Sequence, residues 1–438
     1  MPAHARHFQP PPPVSSPLPF HKHLETSLAR LVTQYPPPTL LPFGGLYAGL
    51  LSIVYLFHRL QDILPPNYKI HGKTLLQWRQ AYWAQAEKYE RELLGDHTVA
   101  TGIKVRPWRC GIGDDAVVYA ALHVVFEIEE NDTQASGEVE AFCNAMTSQL
   151  VGRHAHEQSK KYGKPASNEW LYGRSGTLFL LRLIRRTFLR RRANSPSDEH
   201  IRATLNTIDN AIRAIIQEIV VTAPRPWVWH GKAYLGAVHG SAGIIAQVLL
   251  SIKALGGDSD SNDESKKWID AVEPDILQLL DSQFETSGNW PSSLPSEPGD
   301  EPSDRLLQFC HGSPGIIICL SHILPHYSHL TTRLHQAITL AQPDLYARGL
   351  LTKEPCLCHG ATGNALALHD KVQRESFLAY ATEDVIREMV VERGWMKESD
   401  SPEGLYTGLA GRVWVWALGA TSGFDTDRAT RFPGFDDA

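Results

Sequence analysis

A chain of 438 residues with 42% hydrophobic composition is long enough for one large closed fold or for two to three ordinary domains. A formal net charge of −6 gives no electrostatic reason to expect a nucleic-acid partner, and six cysteines are too few for a disulfide scaffold. Residues 1–16, rich in proline and histidine, lack the apolar core of a secretory signal, so the chain reads as cytoplasmic, in a reducing compartment.

Residues 1–39 carry the proline runs at 10–13 and 36–38 and are expected to form an N-terminal extension that wraps the surface or stays partly disordered; residues 40–438 are expected to form one domain. Residues 40–60 are the most apolar stretch. They contain Pro42, Gly44, Gly45 and Gly49 and end at His58-Arg59, which predicts a buried helix rather than a membrane span. Membrane contact is expected to be peripheral at most. Residues 75–94, rich in Gln, Ala, Glu and Arg, predict a helix. The basic run from Arg185 to Arg192 is read as a helix end entering a loop at 193–199, with an anionic partner as the minor alternative. Ile201, Leu205, Ile208, Ile212, Ile215 and Ile219 recur at steps of three and four, one apolar stripe on a helix. Further loops are expected at 256–266 and, with four prolines, at 287–304. Alternating strand patterns are scarce.

A repeat runs through these elements: a glycine, two residues, a glycine, then an apolar run. It occurs at Gly173/Gly176, Gly240/Gly243, Gly312/Gly315, Gly360/Gly363 and Gly408/Gly411, with degenerate copies ending at Gly49 and Asp114. Each interval fits a pair of helices, so seven copies predict an all-α barrel whose glycine turns gather seven helix N-termini at one end. Such an end presents unpaired N–H groups and partial positive charge, which suits an anion or a thiolate.

Cys310 stands at one of these turns and Cys358-His359 at the next. Two thiolates and an imidazole form a zinc-type donor set whose open fourth position suits catalysis. On spacing alone, buried unliganded cysteines are the simpler reading; the repeat, which sets equivalent positions side by side, favours ligands. Cys356 is read as a bystander, and Cys110, Cys143 and Cys319 as core.

Several stretches resemble the eukaryotic LanC-like proteins, relatives of the bacterial lanthionine cyclases. They are Asn-Glu-Trp-Leu-Tyr-Gly-Arg at 168–174, Tyr-Leu-Gly-Ala-Val-His-Gly at 234–240, Phe-Cys-His-Gly-Ser-Pro-Gly at 309–315, Leu-Cys-His-Gly-Ala-Thr-Gly-Asn at 357–364, Gly-Leu-Tyr-Thr-Gly-Leu-Ala-Gly at 404–411 and Arg-Phe-Pro-Gly-Phe at 431–435. The resemblance runs from about Gly44 to Phe435. It implies seven inner and seven outer helices, zinc held by Cys310, Cys358 and His359, and glutathione as co-substrate for addition to dehydroalanine or dehydrobutyrine in proteins or peptides. It further implies His239 as the acid that protonates the enolate, with His311 and Glu169 as secondary proton-transfer or orienting groups, and Lys353 and Arg6 as partners for the glutathione carboxylates. The bacterial pattern has an arginine shortly before the first zinc cysteine; here Leu306 falls four residues before Cys310, and Arg305 is the nearest arginine.

Three functions are therefore weighed. The first is a zinc-dependent enzyme forming a thioether from glutathione and a dehydroamino acid. The second is a zinc- and glutathione-binding protein that acts through protein or membrane contacts. The third, a glycosidase on a similar barrel, needs two facing carboxylates, and Glu169 and Asp304 are not obviously paired.

Overall fold

The computed structural model describes residues 6–10, 12, 17–39, 41–130, 135–192, 199–257, 263–297, 299–424 and 431–436. The expected loop at 193–199 falls largely outside these residues, as do the middle of that at 256–266, whose last four residues already belong to a helix, and part of the proline run at 10–13. Helices dominate, with one short hairpin of β1 (Lys69–Ile70) and β2 (Lys73–Thr74).

Seven helices form a closed inner ring: α2 (Gly49–Leu60), α5 (Asp115–Glu130), α8 (Arg174–Arg192), α10 (Ser241–Ala254), α12 (Ser313–Ile323), α14 (Ala361–Ala367) and α17 (Leu409–Ser422). Each touches the next, and α17 returns to α2. Because neighbours cover most of their length, their middles are apolar on nearly every face, although α8 ends in a basic run; all twelve residues of α2 are buried. At twelve residues it is a barrel stave, and no helix among the described residues is long and apolar enough to cross a membrane.

An outer helix backs each inner one: α3 (Leu75–Ala86) on α2, α6 (Ala135–Leu150) on α5, α9 (Glu199–Gln217) on α8, α11 (Asp263–Asp281) on α10, α13 (Thr331–Arg348) on α12 and α15 (Lys371–Ala379) on α14. The backing of α17 is α1 (Phe20–Gln34), which lies inside the stretch expected to be an extension. Its Phe20, Leu24, Leu28 and Leu31 recur at helical spacing and are buried; each contributes about 1.5–3 kcal/mol. The prolines around this helix hid its stripe.

Shorter helices fill the connections: α4 (Glu90–Leu94), α7 (Gly152–Tyr162) and α16 (Glu383–Ile386). The helix predicted over 75–94 is therefore interrupted, α3 giving way to a 3₁₀ turn at Glu87–Tyr89 before α4. The stripe from Ile201 to Ile219 is α9 and the π turn that follows it, Glu218–Thr222. The basic run ends α8 against acids, Arg185 on Asp209 and Arg190 on Asp62.

The glycine turns link to one another around one end of the ring. Cys310 N–H donates to the Cys358 carbonyl (3.2 Å), Cys358 N–H to Tyr406 (2.8 Å), and Tyr406 N–H to Tyr47 (3.0 Å). Leu46 donates to Ile112, Gly113 to Leu171, and Trp170 to Val238. The second glycine of each regular copy lies under the carbonyl six residues earlier. A Cβ on Gly243 would fall 1.9 Å from the Ala237 oxygen, and one on Gly363 1.9 Å from that of Leu357.

This lattice corrects the register of the two degenerate copies. Tyr47 and Ile112 bond where Cys358 and Tyr406 do, so Gly49 and Asp114 occupy first-glycine positions, and Ser52 and Val117 the second. Asp114 replaces glycine there by capping α5, its carboxylate accepting from Val117 N–H at 3.0 Å.

Candidate functional site

The turns before α12 and α14 carry Cys310 and Cys358, and the backbone bond between them sets the two side chains in contact. Both cysteines are buried, and their thiols hydrogen-bond to each other. The Cys358 thiol donates to Cys310, which holds Cys310 below the usual thiol value; the Gln308 amide, 3.0 Å from its sulfur, and the charge of Lys353 act in the same sense. The same bond and burial push Cys358 well up, partly opposed by the Tyr47 hydroxyl, which donates to its sulfur. Two adjacent anionic sulfurs would repel, so the two thiols lose their protons in separate steps, Cys310 before Cys358.

Tyr47 is itself partly buried, which raises it, and stacks on Tyr406 with ring centroids 5.6 Å apart. Beneath the cysteines, Phe309 stacks on Phe432 (3.7 Å), and Trp170 packs against Phe435 (5.1 Å). The C-terminal segment 431–436 thus fills the barrel core directly under the site.

His359 follows Cys358 and is held neutral down to about pH 4, first by burial, then by Lys353, with Lys397 adding and Asp400 opposing. Its backbone N–H bonds to Cys356, whose thiol burial pushes up to about 12. Among the described residues no three His, Cys, Asp or Glu side chains are drawn together as a metal-holding group. In kind the donors fit a thiophilic divalent ion: a contacting sulfur pair and an imidazole that carries no proton charge at neutral pH.

His239 stands on the turn before α10. Its Nδ1 lies 2.9 Å from Glu169 Oε2. Glu169 is 2% exposed and also accepts from the backbone N–H groups of Leu171 (2.9 Å) and Tyr172. Trp229 lies flat on the His239 ring, centroids 3.9 Å apart and planes 3° from parallel. The His311 ring lies 5.9 Å from His239 and 5.4 Å from Tyr234, and its buried Nδ1 has no hydrogen-bond partner among the described residues. Burial, then His239 and Lys353, push His311 down to about 4.

Lys353 Nζ donates to Gln308 Oε1 at 3.4 Å, one side chain away from the Cys310 sulfur. The main chain at 350–353 pairs on one side with 397 and on the other with residues 6–8: Lys397 N–H donates to Thr352, Thr352 N–H to Arg6, and Phe8 N–H to Leu350. Arg6 therefore sits in the strand-like pairing next to Lys353. It is exposed and lines a cavity of about 490 Å³ with Asp304, Arg305 and Arg348. Asp304 is tied to Arg348 and to Asn289, so it does not face Glu169 as a catalytic partner.

The structure thus gathers Cys310 with Cys358, and His239 with Glu169 and His311, and sets Lys353 beside the sulfur pair through Gln308. Sequence reasoning missed Tyr47, Gln308, Trp229 and Lys397. Cys110, Cys143 and Cys319 are buried in the core, and burial pushes their thiols up.

A profile of the family described as lanthionine synthetase C-like protein matches residues 44–418. The glutathione S-transferase LANCL1 of Danio rerio is 28% identical over 255 residues, covering 57% of this chain and 58% of that protein. The LanC-like protein GCL1 of Arabidopsis thaliana is 27% identical over 226 residues, covering 49% and 46%. The matched stretches span about half the length of these relatives.

Proposed function

Because this chain belongs to the lanthionine synthetase C-like family, we propose that it adds the thiol of glutathione to dehydroalanine or dehydrobutyrine residues of proteins or peptides, at a zinc centre of Cys310, Cys358 and His359. The observation that carries the reading is the contact between the Cys310 and Cys358 sulfurs, brought together from turns 48 residues apart. A bound zinc ion supplies the positive charge that keeps an incoming thiol deprotonated at neutral pH. The name of the zebrafish relative, a glutathione S-transferase, supports the choice of thiol.

The protein's part is to place charges and move one proton. Lys353 and Lys397, with Arg6 beside them, offer cations to the two glutathione carboxylates. The thiolate forms a bond to the β-carbon of the alkene, and the π electrons move to the carbonyl as an enolate. His239 delivers a proton to the α-carbon, its orientation fixed by Glu169. The neutral ring of His311, between His239 and Tyr234, lies next to this proton path. The product is a thioether, and no group leaves.

The test is metal analysis together with mass spectrometry. Purified protein should hold close to one zinc, and Cys310→Ala, Cys358→Ala and His359→Ala should each lose most of it. With zinc and glutathione, a dehydroalanine peptide should gain the mass of one tripeptide. A zinc-loaded protein that gives no adduct above background ends the catalytic reading.

The absence of a gathered third ligand among the described residues favours a second reading, a glutathione-binding protein acting through protein or membrane contacts. It predicts that Cys358→Ala, folded but metal-free, keeps its cellular effect.

A further inference from the structure

Beside the barrel mouth, the segment before the α5 turn and the end of α7 enclose a groove of about 530 Å³. Its aromatic floor is Trp108 and Tyr162, ring centroids 5.4 Å apart, Trp108 half-buried and Tyr162 51% exposed. Its walls carry Lys104, Arg106 and Lys164, with Lys161 next to them; Lys164 lies 5.8 Å from the Trp108 ring centroid and Lys161 5.3 Å from that of Tyr162. Among the described residues none of these four cations forms an ion pair. The acids nearby are engaged elsewhere: Glu157 with Arg153 (2.7 Å), and Asp114 and Asp115 with Arg109 (3.2 and 3.9 Å). Arg106 also feels the charge of Asp114, so the positive charge is balanced only at that edge; in a chain of net charge −6 the three lysines form a local excess of positive charge.

From the residue next to Trp108, a series of side-chain contacts leads to the proposed site. Arg109, next to Trp108, holds its guanidinium 5.8 Å from the Tyr172 ring centroid. Tyr172 stacks at 6.5 Å on Trp229, and Trp229 lies on His239. A track of one cation and two aromatic rings, Arg109, Tyr172 and Trp229, therefore leads from beside the groove to the histidine assigned above as proton donor. An extended peptide spans ~3.3–3.6 Å per residue, so roughly four to six residues cover the track.

We propose that this groove docks an acidic segment of the protein substrate, rich in Asp and Glu, that lies roughly four to six residues from the reacting residue. The inference rests on the catalytic reading for its purpose, though not for its geometry. Aromatic rings take the peptide backbone and side-chain stems, and the lysines and Arg106 take the carboxylates. A flat lipid surface is disfavoured because the cations line a concavity and the rest of the molecule is negative.

The experiment uses the full-length protein and fluorescein-labelled peptides that carry serine in place of the alkene, so that binding is read without chemistry. The acidic peptide should bind, weaken steeply in high salt, and outcompete a Lys-rich peptide of equal length. Joint Lys104→Glu, Arg106→Glu and Lys164→Glu substitution should weaken it at least about tenfold, and Trp108→Ala, which keeps all charges, severalfold. With the dehydroalanine form and glutathione, the charge reversal should raise KM for the acidic acceptor, while turnover of a single-residue dehydroalanine amide stays unchanged. Equal binding of acidic and Lys-rich peptides, or indifference to the charge reversal, overturns the proposal. So does binding that requires phosphoserine, or binding of phosphatidylserine vesicles instead of peptide. If the acidic peptide is held and the charge reversal releases it, yet no adduct forms, docking stands and the catalytic reading falls.

Discussion

Glu169 Oε2 and His239 Nδ1 are 2.9 Å apart, and the carboxylate is anchored by two backbone N–H groups of its own turn, Leu171 donating to the same Oε2 and Tyr172 to Oε1. An anchored acceptor at Nδ1 fixes which ring nitrogen carries the proton and holds the ring in one orientation. Replacing Glu169 by Gln keeps the size and one acceptor but lets the ring take the other tautomer. The expected result is a fall of about a hundredfold in kcat for adduct formation, with KM for glutathione nearly unchanged. An unaltered kcat would show that the carboxylate serves folding alone.

The second glycines of the repeat are expected to govern stability more than chemistry. Gly243→Val or Gly363→Val must displace a backbone carbonyl 1.9 Å from the new Cβ, at a cost of about 3 kcal/mol or more. Urea unfolding followed by circular dichroism measures it. A loss under 1 kcal/mol would mean that the turns open easily and do not fix the cysteines.

Arg412 Nη1 bonds to Glu354 Oε1 at 2.9 Å and to the Pro355 carbonyl at 3.1 Å, both side chains buried. The pair pins α17 to the strand that leads into Cys358. Arg412→Leu leaves Glu354 charged and enclosed, which costs about 3–5 kcal/mol. Arg412→Leu with Glu354→Leu should recover much of that in thermal unfolding; no recovery would place the damage in lost packing instead.

His123 Nε2 lies 2.9 Å from Glu138 Oε2, joining α5 to α6. Burial alone would lower His123, but the hydrogen bond and charge of Glu138, with Glu127 and Glu90, raise it above 6.5. The native state therefore binds the proton more tightly than the unfolded chain. The pair's contribution, on the order of 1–2 kcal/mol, is full below about pH 6.5 and disappears as pH rises through the raised native value. Subtracting the pH–stability curve of His123→Gln isolates it. A difference that grows with pH would contradict the assignment.

Much of this architecture was legible because glycine spacing reports where backbones must touch. Seven turns implied seven inner helices, and the equivalence of Cys310 and Cys358 predicted their contact. The missed parts follow from weaker signals. Gly45-Leu-Tyr-Ala-Gly49 repeats the pattern of Gly404-Leu-Tyr-Thr-Gly408, and this alignment alone would have put Tyr47 and Tyr406 in the place of Cys358. Anchoring on Gly49 as a second glycine concealed it. Trp229 reaches His239 through a loop that carries no repeat, and Gln308 and Lys397 act through pairings between distant segments. Helix α1 was obscured because flanking prolines dominate local composition, while its partner face on α17 lies nearly 400 residues away.

That last packing has a kinetic consequence. The stripe of Phe20 and the leucines of α1 finds its seat only on α17, against Trp416 and Gly419, so a nascent chain carries this sticky face through nearly the whole of its synthesis. The packing of α1 on α17 is longer in sequence range than the α17–α2 closure of the ring and should be late and slow. A ribosome-tethered chain lacking α17 should recruit chaperones through α1, and mutating Leu24 and Leu28 to serine should relieve that demand while leaving the finished barrel with a loosened seam.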